Sequence, residues 1–243
     1  MMTENAKVYQ YVSSGNVLAT RSLTRSTWDL LPSTKDEIMN ISDLLSAKGI
    51  KTQTITQNSA NEESFKSMSG NAPDIIHVAS HGFYYQSIED VTSSFFSRLN
   101  SYTQKDYSLL FGGLLFAGAN NAWTGKEVTK DIEDGILTAD EISRLDLEGN
   151  KLLVLSACDT GLGDIDNIDG VLGLQRGFKK AGAGTILMSL WKVPDEETNI
   201  LMRSFYEHYI SGESPNMSLR QAQDVLIQMG KSPYYWAGFV VLD

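Results

Sequence analysis

One cysteine and one histidine each follow a short apolar run, and they are the residue types of a nucleophile and its general base. Cys158 comes directly after KLLVLSA, and His81 comes directly after DIIHVAS. A free thiol has a pKa of about 8.5 and is mostly protonated at neutral pH, so a nucleophilic cysteine benefits from a neighbouring imidazole that accepts its proton. The pattern predicts acyl transfer in which the Cys158 thiolate attacks a carbonyl carbon.

Both apolar runs are predicted to be buried strands of a mainly parallel sheet. Short apolar runs alternate along the chain with segments of helical periodicity, which is typical of an α/β fold. The carboxyl ends of parallel strands meet at one edge of such a sheet, and ligands bind outside that edge. We therefore expect His81 and Cys158 to lie side by side there.

Backbone N–H groups beside these two residues would complete a catalytic site. Gly82 has no side chain, so a substrate backbone can approach it closely, and its N–H can stabilise a developing negative charge. The N–H of Cys158 is the second expected donor. Together they are predicted to form an oxyanion hole.

The remaining chain is predicted to consist of helices, strands and loops in alternation. Helices are expected over 36–48, 61–69, 137–145, 171–180, 195–210 and 216–229, strands over 50–56, 108–118, 184–190 and 237–243, and loops over 83–107 and 120–135. Ser59 with Glu62, and Thr138 with Glu141, have the spacing of a capping box. Each pair predicts the start of a helix.

Composition argues against several classes of partner. Acidic residues outnumber basic ones by 30 to 20, for a net charge of -10, which disfavours direct nucleic-acid binding. No apolar stretch is long enough to predict a membrane span. The single cysteine allows no internal disulfide, and the N-terminus has no secretory pattern, so we expect a cytoplasmic protein.

No cofactor and no metal are predicted. Neither of the common glycine-rich nucleotide-binding patterns occurs at a strand-to-helix turn. One cysteine and three histidines at these spacings do not make a closed zinc site. His77, in the middle of its strand, is predicted to be a packed histidine, and His208 is predicted to be structural.

The segments HVASHG and LSACDTGLG, followed by GVLGLQRGFKKAGAGTILMSLWKVPDEETNILMRSFYEHY, resemble the CHAT peptidases. These are cysteine peptidases of clan CD, related to caspases, separase and gingipain and often attached to tetratricopeptide repeats. The resemblance implies a caspase-like three-layer sandwich with a mainly parallel central sheet flanked by helices. It also implies a cysteine endopeptidase with a His81–Cys158 dyad, a protein or peptide substrate, and a sensor or repeat domain as a partner.

The resemblance covers 31–243, so we expect the peptidase domain there and an N-terminal extension, or the remnant of a preceding part, over 1–30. It also suggests substrate-binding residues. Relatives specific for basic side chains carry an aspartate where this sequence has Ser156, which puts such specificity in doubt, and Asp159 either faces the cleft or lies solvated in its loop. Residues 189–192, beginning with Ser189, are expected to pair with extended substrate. Trp191 either forms a pocket wall or covers the core.

Two other functions fit the same residues. The chain could keep the fold as a catalytically silent interaction module, or it could be an α/β enzyme that acts on a small molecule. The presence of both His81 and Cys158 disfavours the silent module. Hydrolysis of peptides but not of small esters or amides would separate the peptidase from the small-molecule enzyme.

Overall fold

The computed structural model describes residues 5–10, 27–28, 31–84, 109, 112–126, 132–156, 168–191 and 193–243. The strands of these ranges are β1 Asn5–Gln10, β2 Lys51–Ile55, β3 Ile75–Ala79, β4 Gly82–Tyr84, β5 Gly112–Leu115, β6 Ile136–Thr138, β7 Leu152–Leu155, β8 Thr185–Ser189 and β9 Phe239–Leu242. The helices are α1 Pro32–Ala47, α2 Glu62–Lys66, α3 Ala119–Trp123, α4 Ala139–Ile142, α5 Ile168–Lys180, α6 Asp195–Ile210 and α7 Pro215–Gln228.

A six-stranded sheet forms the centre of the fold. Its strand order is β2-β1-β3-β7-β8-β9, and every neighbouring pair is parallel except β8 and β9. A second, antiparallel sheet has the order β4-β5-β6. The mainly parallel sheet predicted from the sequence is confirmed.

Two apolar cores cover the two faces of the central sheet. Successive residues of a strand point to opposite faces, so Ile76 and Leu153 lie in one core while Ile75 and Leu152 lie in the other. The first core also contains residues of α2, α4, α5 and the small sheet, and the second contains residues of α1, α6 and α7. This arrangement is the predicted sandwich of a sheet between helices.

The first strand differs from our expectation for residues 1–30. β1 lies inside the central sheet, where Ala6 is opposite Thr52 of β2 and Ile75 of β3. Its sequence, NAKVYQ, contains few apolar residues and so lacks the continuous run that marks a buried parallel strand. Residues 5–10 are therefore part of the sheet and not of an extension.

Local capping follows the sequence prediction at one helix and departs from it at another. At α4 the backbone N–H of Glu141 donates to Thr138 Oγ1 over 3.2 Å, and the Thr138 N–H donates back to Glu141 Oε2 over 3.0 Å, as predicted. The prediction that Ser59 caps α2 is wrong. Ser59 ends a short 3-10 turn, and Asn61 caps α2 by accepting a 2.9 Å hydrogen bond from the Ser64 N–H.

Two further elements refine the predicted pattern. The segment expected to be a loop over 120–135 begins with α3, which follows Gly118 at a positive φ of 100°. The strand expected over 108–118 is the short β5. A Cβ atom on Gly113 would lie 2.3 Å from the Leu137 carbonyl oxygen, so only glycine allows β5 to approach β6 this closely.

Among the described residues, no helix combines the length and apolar character needed to cross a bilayer. The longest helices, α1 and α6, have 16 residues each. Both lie against the central sheet and contact one another.

Candidate active site

His81 lies where the central sheet meets the small sheet. β3 ends at Ala79, and β4 begins at Gly82, so His81 belongs to the short connection between the two sheets. Its carbonyl accepts a 2.9 Å hydrogen bond from the Leu115 N–H, and the neighbouring Ser80 hydroxyl donates to the Leu115 carbonyl. Only 3% of His81 is exposed. Both hydrogen bonds reach Leu115, so the chain at the predicted base is tied to the end of β5.

The strand that precedes Cys158 lies directly beside the strand that precedes His81. β7 is parallel to β3, with Leu155 opposite Val78, and the Ser156 N–H donates to the Val78 carbonyl over 3.1 Å. The two strands therefore end at the same edge of the sheet, as predicted. Cys158 and Asp159 lie outside the described residues.

The N–H of Gly82 is not used in pairing with the neighbouring strand β5. In an antiparallel pair, hydrogen-bonded and non-hydrogen-bonded residue pairs alternate. Since the Leu115 N–H bonds to the His81 carbonyl, the next pair, Gly82 opposite Leu114, is a non-hydrogen-bonded one. The Gly82 N–H consequently points away from β5.

Ser156 and Ser189 occupy equivalent positions at the ends of β7 and β8. Leu155 is opposite Met188, so the two serines follow at the same level of the sheet. Both are buried, with 5% and 2% of their surfaces exposed. The Ser189 hydroxyl donates to the Trp191 carbonyl, whereas the Ser156 hydroxyl forms no hydrogen bond within the part of the chain that the structure describes.

Trp191 is fixed against the C-terminal segment of the chain. Its indole Nε1–H donates to the Tyr234 carbonyl over 2.8 Å, and the two rings stack with centroids 6.4 Å apart. A Cβ atom on Gly238 would come within 2.8 Å of the indole, so the ring lies directly on the glycine backbone. Trp191 is half-buried at the margin of the second core. It covers the core, and part of its surface faces solvent at the edge where β8 ends.

His77 is enclosed on the opposite side of β3 from the first core. Its Nε2 lies 3.1 Å from Oε1 of Glu37, and its Nδ1 lies 3.1 Å from the Tyr206 hydroxyl. Burial raises the pKa of Tyr206 well above its ordinary value, so this hydroxyl stays protonated. His77 is completely buried and packed, whereas His208 is partly exposed, with Nδ1 3.4 Å from Glu213 Oε1.

Trp28, which the sequence analysis did not single out, packs against His81, and two further aromatic rings continue from it. The Trp28 and His81 ring centroids are 5.1 Å apart, and Trp123 contacts Trp28 edge-on at 5.2 Å. Trp123 also contacts Phe83 at 5.6 Å. Trp28 falls in the segment that we expected to precede the domain, so its position in the chain carried no signal of this role.

A cluster of carboxylates surrounds Lys66 on the first-core side of the molecule. Nζ of Lys66 lies 2.6 Å from Glu62, 2.9 Å from Glu133 and 3.4 Å from Glu141. The three carboxylates are close enough to share a cation, but the Lys66 ammonium already supplies positive charge among them. Burial raises the pKa of Glu62 to about 7.

The structure is that of an α/β protein with a mainly parallel central sheet between helices, and comparison with known proteins shows that this fold is caspase-like. The family model of the CHAT domain matches residues 5–242. The chain therefore belongs to the CHAT domain family. This match includes β1, in agreement with its place in the central sheet.

Two curated proteins are related to this chain in sequence. Tetratricopeptide repeat protein 28 of Mus musculus is 34% identical over 110 residues, and that of Homo sapiens is 32% identical over 114 residues; these matches cover 44% and 46% of this chain. The matched region spans about 4% of each relative, whose name refers to its repeats and not to an activity.

Two cysteine-peptidase folds are among the similar structures. The Arg-specific cysteine proteinase gingipain R aligns with 98% of this chain and 46% of its own, at a TM-score of 0.52 and 8% identity. Saccharomyces cerevisiae separase, in its securin complex, aligns with 98% of this chain and 11% of its own, at a TM-score of 0.50 and 11% identity. At these identities the likeness shows the caspase-like fold alone.

Proposed function

We propose that this domain is a cysteine endopeptidase in which Cys158 is the nucleophile and His81 is the general base. The observation that carries the proposal is the parallel pairing of β3 with β7, because it brings the strand before His81 beside the strand before Cys158. Membership of the CHAT family and the fold shared with gingipain R and separase support it. Catalysis at this edge also agrees with the general location of sites in parallel sheets.

The reaction would proceed by covalent catalysis in two steps. His81 accepts the thiol proton, the Cys158 sulfur attacks the peptide carbonyl carbon, and the tetrahedral intermediate collapses to a thioester as His81 protonates the leaving amine. Water, deprotonated by His81, then attacks the thioester and releases the carboxyl product and the thiol. The N–H groups of Gly82 and Cys158 would stabilise the oxyanion. The direction of the Gly82 N–H, away from β5, is compatible with that role.

Substrate would lie along the edge formed by the ends of β7 and β8. We assign backbone pairing with an extended peptide to the segment that begins at Ser189, and a pocket wall to the exposed part of Trp191. Ser156 and Asp159 are the proposed residues beside the side chain that precedes the scissile bond. Ser156 is neutral, which argues against a strong preference for a basic residue unless Asp159 supplies the charge.

Regulation through a partner domain is the second part of the proposal. The curated relatives carry tetratricopeptide repeats in their name, and the matched region is a small part of each of them. A repeat or sensor domain that binds more tightly when His81 and Cys158 are aligned for catalysis would raise activity. The size of the increase is limited by the ratio of its affinities for the aligned and unaligned states.

The proposal is tested by labelling Cys158 with a peptide electrophile. Cys158 is the only cysteine, so every thiol adduct on the protein reports on it. We expect wild-type protein to be labelled, Cys158→Ala to remain unlabelled, and His81→Ala to be labelled at least ~100-fold more slowly, the usual range for loss of a general base. His208→Ala is the matched control, because it removes a partly exposed histidine far along the chain on α6.

The outcomes separate the candidate functions. Labelling of His81→Ala at the wild-type rate would refute the dyad. A wild-type protein that stays unlabelled by peptide electrophiles and cleaves no peptide, with or without a repeat domain, would favour the silent interaction module instead.

A further inference from the structure

We propose that Trp28 is a positioning residue that orients the His81 imidazole, and that Asn120 holds Trp28 in place. The inference rests on the proposed function, since the orientation matters only if His81 acts as a base. The two ring planes are inclined by 45°, with centroids 5.1 Å apart. This is within the separation at which aromatic rings attract one another.

The side-chain amide of Asn120 holds the backbone of Trp28 by two hydrogen bonds. The Trp28 N–H donates to Asn120 Oδ1 over 2.8 Å, and Asn120 Nδ2 donates to the Trp28 carbonyl over 3.1 Å. An amide can satisfy a backbone donor and a backbone acceptor at once, as a neighbouring strand would. We call this pair of hydrogen bonds the Asn120 clamp. It fixes the backbone from which the Trp28 indole projects, and it joins residues 92 positions apart.

Asn120 is itself anchored to the body of the domain. It lies in α3, which begins two residues after Ala117. The Ala117 N–H donates to the Ala60 carbonyl over 2.9 Å. Gly135 packs against the first residue of α3, and a Cβ atom there would lie 2.5 Å from the Ala119 nitrogen. The position of the clamp is thus determined by close backbone contacts that tolerate little movement.

Trp123 makes a second aromatic contact with the Trp28 indole. Trp123 meets Trp28 edge-on at 5.2 Å and meets Phe83 at 5.6 Å, and Phe83 follows His81 by two residues. The rings of Phe83, Trp123, Trp28 and His81 therefore form a continuous contact path that begins and ends on the same segment of chain. His81 is almost completely enclosed by its surroundings.

This enclosure has a chemical consequence for a general base. An imidazole must present one ring nitrogen to the thiol, and small departures from that geometry lower the rate of proton transfer. A base is commonly oriented by a third group. Trp28 would do so through ring packing, which limits rotation of the imidazole about its side-chain bonds.

The experiment compares Trp28→Ala, Trp28→Phe and Asn120→Ala in the labelling of Cys158 by a peptidyl electrophile. We expect Trp28→Ala to lower the maximal labelling rate about tenfold, the factor that corresponds to one aromatic pair, with the half-saturating concentration unchanged. Trp28→Phe should restore most of the rate, and Asn120→Ala should give an intermediate value. Tyr209→Ala is the control, because it removes another half-buried ring, stacked at 5.8 Å on Phe205, from helix α6.

A spectroscopic measurement tests the contact without reference to activity. Fixed packing gives an aromatic side chain a near-ultraviolet circular dichroism signal, so the wild-type spectrum should contain a component from the contact between Trp28 and His81. That component should disappear in both Trp28→Phe and His81→Gln and persist in Tyr209→Ala. Its presence in Trp28→Phe at wild-type amplitude would overturn the inferred contact.

The two proposals fail in different ways. If the wild-type protein is never labelled, or if His81→Ala is labelled as fast as wild type, the proposed function and the positioning role both fall. If His81 is required but Trp28→Ala matches Tyr209→Ala in maximal rate, only the positioning role of Trp28 is overturned.

Discussion

Replacing Glu62 by glutamine should stabilise the protein at neutral and alkaline pH. The Glu62 side chain is 1% exposed, with Oε1 2.6 Å from Lys66 Nζ and Oε2 accepting a 2.9 Å hydrogen bond from the Gly135 N–H. Burial disfavours its charged form more than the nearby Lys66 ammonium favours it, and Glu141 and Asp134 add repulsion. These effects raise the pKa of Glu62 from 4.5 to about 7.

The sign and size of the effect follow from this shift. Because the folded protein binds the Glu62 proton more tightly than the unfolded chain, the free energy of unfolding falls as pH rises from about 4.5 through about 7. At about 1.36 kcal/mol per pKa unit, complete ionisation would cost about 3 kcal/mol. The measured loss should be smaller, because relaxation of the surroundings and entry of water reduce the cost of burying a charge.

Urea unfolding between pH 5 and pH 8.5 would measure this difference. At pH 5 the two proteins should be similar, because Glu62 is then mostly neutral; at pH 8 Glu62→Gln should be more stable by about 1–3 kcal/mol. Glu207→Gln is the control, since Glu207 is 46% exposed and pairs with Arg203 on the surface of α6. Parallel stability curves for wild type and Glu62→Gln, or a loss of stability in Glu62→Gln at pH 8, would refute the reasoning.

Three other substitutions test the packing around the site. His77→Ala should lower the free energy of unfolding by about 3 kcal/mol in urea, because it removes a completely buried ring from between Glu37 and Tyr206 and leaves the Tyr206 hydroxyl without its 3.1 Å partner, while the folded fraction should still label at Cys158; an unchanged midpoint would contradict this. Gly177→Ala should destabilise α5 in thermal melts although alanine is the better helix former, since its Cβ would lie 2.5 Å from the Ala139 carbonyl oxygen, and a raised midpoint would count against that contact. Trp191→Ala should raise the half-saturating concentration of a peptidyl electrophile about tenfold, the factor for losing an apolar pocket wall; an unchanged value would limit Trp191 to covering the core.

The buried centre of the sheet could be predicted because its signal is local and strong. A parallel strand covered on both faces needs a continuous apolar run, and IIHVA and LLVL are such runs. The capping box at Thr138 and Glu141 was predictable for the same reason, since its two partners are three residues apart and their bonds depend only on the start of a helix.

Two predictions failed. One failed because two neighbouring residues can cap the same helix, and the other because β1 is held by hydrogen bonds to its neighbouring strands and not by a run of apolar residues. Ser59 and Asn61 are both good helix caps, and the 3-10 turn that ends at Ser59 leaves Asn61 to begin α2. β1 has a weak apolar pattern, but the hydrogen-bonding edges of β2 and β3 accept it between them. Neither choice can be read from the spacing of residues within the segment.

Residue type and position alone singled out His81 and Cys158, because each follows a buried strand and the chain contains no second cysteine. Only the tertiary structure decided what surrounds His81. Asn120 and Trp28 meet across 92 positions, and they do so because α3 is anchored to the turn at Ala60 and to Gly135. A contact of this kind depends on how the sheets and helices pack as a whole, so no periodicity or motif in either segment encodes it by itself.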